Sequence, residues 1–177
     1  TLHDSILAGI HRETENARAG KPARIIAKMN SLLEFNVMKA LYEASCAGVK
    51  IDLIIRGICG IRPGIKGVSE NIQVRSIVGR FLEHHRVFCF ENDGDPEVFI
   101  SSADWLDRNF FRRVETCTPI EDEQLKKIVM EQGLQVYLND NTNAWILQQD
   151  GSYTRAQPER ADDQFSSQQF LMDTLSA

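Results

Sequence analysis

The chain has 177 residues, a length that accommodates one domain with a hydrophobic core but is short for two. Hydrophobic residues make up 42% of the sequence and charged residues 25%, as in an ordinary globular protein. The net charge of −5 argues against a general nucleic-acid-binding protein, because such binding depends on a basic surface.

The sequence predicts neither a signal peptide nor a membrane span, because it contains no secretory pattern and no apolar run near the required length of about 20 residues. The cysteines form no Cys-x-x-Cys pair and have no metal-like spacing with histidine. We therefore predict buried free thiols and a cytoplasmic location. The cysteines are Cys46, Cys59, Cys89 and Cys117.

Helix and strand patterns alternate in the first third of the chain. Apolar residues at helical spacing predict helices over residues 2–18 and 32–47. The apolar runs 23–29 and 49–56 predict strands, and a glycine that can end a helix precedes each of them. This order predicts β-α-β units, and hence an α/β fold with a mostly parallel sheet and helices on both faces.

A loop rich in glycine and proline, residues 57–71, follows the second strand. Arg56 stands at the end of that strand, and Arg62 and Lys66 lie on the loop. Loops of this kind line binding crevices at the carboxyl ends of strands in α/β folds. We therefore expect a local cationic pocket for an anionic ligand on an otherwise acidic protein.

Residues 72–81 predict a strand that leads into a short helix, and a β-hairpin follows. The hairpin strands, 87–91 and 97–101, are separated by NDGDP, whose Asp-Gly pair signals a tight turn. A hairpin brings its two ends together, so the residues flanking it should converge. They are His84, Arg86, Ser102 and Asp104.

His84 is the strongest candidate for chemistry, because histidine titrates near neutral pH and can exchange a proton with a phosphate oxygen. On the residues alone, the alternative is a structural histidine at a helix end that bonds a backbone carbonyl. In an extended segment His85 points the opposite way, so we expect it at the surface. For Ser102 and Asp104, two roles stay open: they orient His84, or they cap the turn.

The remaining sequence predicts a strand over 110–120 and a helix over 121–134. A hairpin around Asp150-Gly151 follows over residues 144–155. Residues 156–163 are typical of a linker, and residues 165–177 of a short closing helix.

The order of parts around the hairpin resembles the phospholipase D superfamily, in which His-x-Lys precedes a hairpin that ends in Gly-Ser-x-Asn. Here Arg86 replaces the lysine, and Ser101-Ser102-Ala103-Asp104 replaces the second motif. Longer strings, LYEASCAGVKIDLIIRGICGIRPGIKGVSENIQVRSIVGRFLEH and SSADWLDRN, resemble the C-terminal catalytic domain of bacterial polyphosphate kinase. The resemblance implies a phospholipase D-like domain over residues 1–155, with residues 156–177 as its linker and closing helix.

This resemblance implies reversible transfer of the γ-phosphate of ATP to inorganic polyphosphate through a phosphohistidine. In the family that histidine lies in a His-Ala-Lys string of a preceding domain, and no His-x-Lys string occurs here. The implied cofactors are ATP or ADP with Mg²⁺, and the metal is held mainly by residues outside this chain. The implied partners are the remaining domains of the enzyme and further copies in a homo-oligomer, in the cytoplasm or peripheral to the membrane.

The family pattern assigns roles to particular residues. It implies that Arg56, in IRGIC, and Arg113, in RRVE, contact phosphate groups. His84 serves as an acid or base, or as a direct phosphate ligand. Arg112 and Arg113 alternate along the predicted strand, so only one can face the site. The candidates for supporting roles are Arg86, Ser102, Asp104 and Arg108.

Two other functions remain open. One is a phosphodiesterase of the phospholipase D type, made active when two copies of His84 meet in a dimer. The other is a polyphosphate- or nucleotide-binding module without activity of its own. Arg86 at the lysine position and the long family strings favour the kinase over the phosphodiesterase.

Overall fold

The apolar runs of the sequence form an eight-stranded sheet in the computed structural model, which describes residues 1–176. The strands are β1 (Arg24–Met29), β2 (Lys50–Ile55), β3 (Ile72–Ile77), β4 (Arg86–Phe90), β5 (Glu97–Ser101), β6 (Cys117–Pro119), β7 (Ala144–Leu147) and β8 (Tyr153–Arg155). Their order across the sheet is β6-β5-β4-β1-β2-β3-β7-β8.

The pairing within this sheet is mixed. β2 pairs in parallel with β1 and β3, whereas the other neighbouring strands described here pair antiparallel. The α/β class is confirmed, but the prediction of a mostly parallel sheet is wrong. β4–β5 and β7–β8 are hairpins, and a tight turn can join only antiparallel strands.

Helices cover both faces of the sheet, as predicted. They are α1 (Leu2–Arg18), α2 (Phe35–Cys46), α3 (Asp107–Arg112), α4 (Glu123–Met130), α5 (Val136–Leu138) and α6 (Ser167–Leu175). A π-helical turn, Glu131–Gln135, connects α4 to α5.

Buried apolar side chains pack on each face of the sheet. On one face, Ile10 of α1 and Leu41 of α2 belong to the same cluster as Leu53 of β2. On the other face, Leu134 belongs to the same cluster as Ile54. Leu53 and Ile54 therefore point to opposite faces, as strand alternation requires. Burial of each such side chain contributes about 1.5–3 kcal/mol to stability.

Side-chain caps fix where the first two helices begin. The hydroxyl of Thr1 accepts the Asp4 N–H (3.3 Å), and the Asp4 carboxylate accepts a hydrogen bond from the Thr1 backbone nitrogen (3.2 Å). This capping box starts α1 at Leu2, and both ends of the helix lie where they were predicted. Helix α2 begins later than predicted, because the Glu34 carboxylate accepts the Val37 N–H (2.7 Å) and acts as its cap.

The predicted strand 110–120 is wrong in its first part, which is helix α3, and only its end is extended as β6. The Phe110 ring packs against His3, with ring centroids 5.2 Å apart, and helical winding allows this contact. Arg112 therefore ends a helix. Arg112 and Arg113 therefore do not alternate along a strand, and that prediction is wrong.

Residues 78–85 form a loop without regular secondary structure, so the predicted short helix after β3 is wrong as well. Gln168 of α6 bonds both the N–H and the carbonyl of Phe81. These contacts take the two backbone groups that a helix would need for its own hydrogen bonds.

Helix α6 corresponds to the predicted closing helix, whose last residue, Ala177, lies outside the described residues. The Ser166 hydroxyl caps it by accepting the Gln169 N–H (3.4 Å). Among residues 1–176, no helix combines the length and the apolar character needed to cross a membrane.

The cysteines are free thiols, as predicted, but their burial varies. Cys89 is buried, Cys59 and Cys117 are half-buried, and Cys46 is exposed, so the prediction of burial is wrong for Cys46. Burial raises the pKa of Cys89 to about 12, which keeps this thiol protonated and unreactive at neutral pH.

Candidate functional site

Several strands terminate at one edge of the sheet and present polar residues there. β1, β2, β3 and β5 have their carboxyl ends at this edge, and β4 begins there because it runs antiparallel to β1 and β5. In α/β folds, ligands bind at the carboxyl ends of the strands. The residues just beyond the strand ends include Asn30, Arg56, His84 and Asp104.

Arg56 and His84 meet at this edge. The Arg56 Nη2 lies 3.5 Å from the His84 Nδ1, and the Arg56 Nε donates to the Asn30 side-chain oxygen (2.5 Å). Arg56 is half-buried and His84 is exposed. The structure therefore places a fixed guanidinium beside an accessible imidazole, an arrangement suited to phosphate.

Arg86 and Asp104 hold the backbone of this site and do not bond the His84 ring. The Arg86 Nε donates to the Asp104 Oδ1 (3.1 Å), and the Arg86 Nη1 donates to the His84 carbonyl (2.9 Å). Asp104 also accepts the Asn30 N–H (2.8 Å). A continuous chain of bonds thus runs from the His84 backbone through Arg86, Asp104 and Asn30 to Arg56.

The other predicted site residues lie outside this chain of bonds. Ser102 bonds the Glu115 carboxylate and accepts the Thr116 N–H (3.0 Å), so it joins the segments before and after α3. Arg108 and Arg113 are exposed, and within residues 1–176 neither makes a side-chain hydrogen bond or a salt bridge. Neither side chain is hydrogen-bonded to Arg56 or His84 among the described residues.

Arg62 and Lys66 of the predicted cationic loop have different environments. The Arg62 guanidinium donates to the Gln149 carbonyl (2.8 Å), which fastens the loop to the turn between β7 and β8. Lys66 is exposed.

A buried polar cluster supports the His84 segment from beneath. The Lys28 ammonium lies 3.3 Å from Oε2 of Glu83, and the Tyr137 hydroxyl donates to the same oxygen (3.0 Å). Burial lowers the pKa of Lys28 to about 8 even though Glu83 opposes that shift. The pKa of Glu83 is lowered by Lys28 and by hydrogen bonds from Gln168 and Tyr137, against the effect of burial.

His85 lies half-buried against the same cluster, with about a third (34%) of its side chain exposed, so the prediction that it is a surface residue is only partly right. Its Nε2 lies 3.3 Å from the Gly133 carbonyl, its Nδ1 lies 3.4 Å from Glu83, and its ring packs on Tyr137. Burial, and secondarily the nearby Lys28 charge, lowers the His85 pKa to about 4. The imidazole is therefore neutral at pH 7.

Sequence reasoning missed most of this supporting cluster. Lys28 interrupts a buried apolar strand, and a buried charge needs a partner, so this signal was available in the sequence. Tyr137 and Gln168 carry no local signal, because they reach Glu83 from helices far along the chain.

Two cavities border Arg56. One of about 250 Å³ is lined by Arg56 and residues of β3, β7 and β8, including Trp145 and Tyr153. The other, of about 260 Å³, is lined by Arg56 and residues 76–82. Arg56 is therefore reachable from two sides.

The residues at this edge do not fit a divalent metal ion held by this chain. Glu83 and Asp104, the carboxylates on either side of His84, are already paired with Lys28 and Arg86. Within residues 1–176, no cluster of three or more His, Cys, Asp or Glu side chains is arranged to bind a metal.

Comparison with solved structures supports the phospholipase D-like fold. A phospholipase D family member, Nuc from Salmonella typhimurium, matches with a TM-score of 0.51 and 17% identity, over 81% of this chain and 89% of that one. At this identity the likeness shows the fold alone.

Polyphosphate kinases match far more closely. The crystal structure of polyphosphate kinase from Porphyromonas gingivalis matches with a TM-score of 0.92 and 39% identity, over 98% of this chain and 26% of that one. The polyphosphate kinase of Neisseria gonorrhoeae is 60% identical over 175 residues, which are 99% of this chain. The chain spans about a quarter (26%) of that relative's length.

A family model described as "Polyphosphate kinase C-terminal domain 2" matches residues 1–168. This match covers nearly the whole chain, and it agrees with the two kinases above. The chain therefore belongs to the polyphosphate kinase C-terminal domain 2 family.

Proposed function

We propose that this chain forms the phosphate-binding half of a polyphosphate kinase active site. The full enzyme transfers the γ-phosphate of ATP reversibly to inorganic polyphosphate through a phosphohistidine that lies outside this chain. Membership of the family supports this reaction. The single observation that carries the site assignment is the 3.5 Å approach of the Arg56 guanidinium to the His84 imidazole.

Arg56 neutralises phosphate charge in this proposal. Phosphoryl transfer depends mainly on positioning and on electrostatic stabilisation of the transferring group. Asn30 accepts a hydrogen bond from the Arg56 Nε, which fixes the guanidinium before a ligand arrives. A fixed guanidinium can donate two parallel hydrogen bonds to phosphate oxygens without reorganising.

His84 exchanges a proton with the departing or attacking phosphate oxygen, and its exposed ring can reach a bound phosphate. The alternative role is that of a direct phosphate ligand. Arg113 provides a second phosphate contact, and its exposed guanidinium is consistent with that role. Arg86 and Asp104 fix the His84 backbone.

Magnesium enters with the nucleotide and is held mainly outside this chain, because the local carboxylates are already paired. ATP or ADP and polyphosphate are the ligands. The proposal also includes a cytoplasmic homo-oligomer in which the other domains of the enzyme complete the site, as the sequence resemblance implies.

Calorimetric titration with ATP and with tripolyphosphate tests the site. We expect weak binding that declines as salt rises, because screening and counterion release govern such contacts. Arg56→Ala should weaken it about 10²-fold. Arg18→Ala is the matched control, because Arg18 is an exposed arginine at the end of α1, near the start of β1 and away from the site. Equal affinities for the two variants would contradict the assignment.

A further inference from the structure

The loop that carries His84, residues 78–85, has few apolar contacts of its own to hold it. Val78, Phe81 and Leu82 are 61%, 48% and 65% exposed. A segment with so little burial has low local stability unless hydrogen bonds from other elements fix it.

Gln168 of α6 supplies such hydrogen bonds. Its Oε1 accepts the Phe81 N–H (2.9 Å), and its Nε2 donates to the Phe81 carbonyl (2.8 Å) and to the Glu83 carboxylate (2.8 Å). Gln168 is 4% exposed, so water does not compete for these bonds. One side chain thus pairs with the loop as a neighbouring strand would.

Glu83, the residue before His84, is fixed from three elements at once. Its carboxylate accepts hydrogen bonds from Lys28 of β1, Tyr137 of α5 and Gln168 of α6. On the other side of His84, Arg86 holds the His84 carbonyl (2.9 Å). The backbone on both sides of the imidazole is therefore anchored.

Gly79 provides independent evidence that the Gln168 side chain is confined to its position against the loop. A Cβ atom at Gly79 would lie 2.4 Å from the Gln168 Oε1 and 2.9 Å from its Cδ. The Gln168 side chain could give way only by breaking its bonds to Phe81 and Glu83. Glycine at position 79 therefore leaves room for the amide.

We propose that Gln168 and Glu83 are positioning residues that hold His84 beside Arg56, so that helix α6 controls phosphate binding at a site it does not touch. The consequence for binding rests on the proposed phosphate-binding function. The effect on the geometry of His84 does not depend on the proposed function, and it can be measured without a ligand.

The geometric test is nuclear magnetic resonance on the 177-residue chain. In the wild type we expect a nuclear Overhauser effect between the His84 ring and the Arg56 side chain, and slow exchange of the Phe81 amide proton. Gln168→Ala should abolish the nuclear Overhauser effect and accelerate exchange of the Phe81 amide proton. Gln169→Ala is the matched control, because Gln169 is the exposed neighbour on α6 and bonds Asp173 instead (2.8 Å).

The binding test is titration of the same proteins with tripolyphosphate. We expect Gln168→Ala to weaken binding about tenfold, the effect of losing one or two net hydrogen bonds. Gly79→Ala should reproduce this effect, and the double variant should be little worse than either single one, because both changes disrupt the same contact. Val37→Ala, a core change on the other face of the sheet, controls for lost stability alone.

The outcomes separate the two claims. If the wild type does not bind tripolyphosphate, the proposed function fails, whatever the magnetic resonance shows. If the wild type binds but Gln168→Ala retains the His84–Arg56 signal and full affinity, the positioning inference is overturned. The inference is also overturned if Val37→Ala, at an equal loss of thermal stability, weakens binding as much.

Discussion

Arg86 donates a hydrogen bond from its Nη1 to the backbone carbonyl of His84, at 2.9 Å. The same guanidinium is paired with Asp104, which is 4% exposed and also accepts the Asn30 N–H. A pair of side chains from the two ends of one hairpin thus fixes the backbone of the main catalytic candidate. A lysine at position 86 would have to make both contacts from a single nitrogen, whereas arginine makes them from two positions of its planar fork.

Asp104→Ala should therefore destabilise the chain. It leaves the Arg86 charge and the Asn30 N–H without their partner. Breaking a fully buried pair in this way costs about 3–5 kcal/mol, and the 24% exposure of the Arg86 side chain reduces that cost. The free energy of unfolding in urea at pH 7 measures the effect. Asp107→Ala, which removes an exposed carboxylate three residues later on α3, should change it by less than about 1 kcal/mol. Similar losses for both variants would show that the Arg86–Asp104 pair does not hold the fold.

His85 should make stability depend on pH below neutrality. Its pKa is lowered to about 4 in the fold, from an ordinary value of 6.5. Between these values the unfolded chain binds a proton that the folded chain does not, so stability falls as pH drops from 6.5 to 4. About a third (34%) of the side chain is exposed, and solvent screening reduces the effect to about 1–2 kcal/mol.

The measurement is the free energy of unfolding at pH 7 and at pH 4.5. We expect His85→Gln to lose less stability over this interval than the wild type. His11→Gln, which replaces an exposed histidine of α1, should behave like the wild type. If His85→Gln loses as much stability as the wild type, the assignment of a half-buried imidazole with a lowered pKa is refuted.

Arg56→Ala and His84→Ala should differ in kind in a full-length polyphosphate kinase that carries this domain. In the proposed site Arg56 contacts charge that is present in the bound nucleotide and in the transition state, so its loss should raise KM for ATP and lower kcat, by about 10²-fold in kcat/KM. In the proposed mechanism His84 acts as the bond breaks, so its loss should lower kcat by about 10²–10⁴-fold with little change in KM.

The pH profile of kcat separates the two roles of His84. A proton donor leaves a titration limb that His84→Ala abolishes. A variant with raised KM, unchanged kcat and an intact limb would make His84 a phosphate ligand only.

The 177-residue chain should form no stable phosphohistidine of its own. The expectation rests on the family pattern, in which the phosphorylated histidine belongs to another domain. Incubation with radiolabelled ATP and Mg²⁺, followed by denaturation in alkali, should leave no acid-labile label on the protein. Label on His84 would show that this chain carries the nucleophile.

Sequence patterns correctly predicted the elements whose backbone conformation depends on neighbouring residues in the sequence. The hairpin turn is one example, because Asn92, Asp93 and Gly94 adopt the positive φ angles (49°, 59° and 93°) that Asn-Asp-Gly sequences favour. The predictions failed at α3 and at residues 78–85, where distant partners decide the backbone. The Phe110 contact with His3 and the Gln168 contact with Phe81 both join residues far apart in sequence.

The same distinction applies to the candidate site. Arg56 and His84 stand in recognisable motifs, and a strand end and a hairpin place them at one edge of the sheet. Their supports, Tyr137 and Gln168, come from separate helices. Contacts between distant side chains have no periodicity or spacing that a single sequence displays, so the contacts of Tyr137 and Gln168 under the loop could not be predicted, whereas Lys28 left a signal in its own strand.

A chemical-shift titration of the isotopically labelled chain with tripolyphosphate tests the central claim most directly. We expect the Arg56 Nε–H and the His84 ring signals to move most, together with the amides of residues 57–71 and 78–85. Arg18 should not respond. Shifts that cluster on α6 or on the α1–α2 face while Arg56 and His84 stay unchanged would contradict that claim.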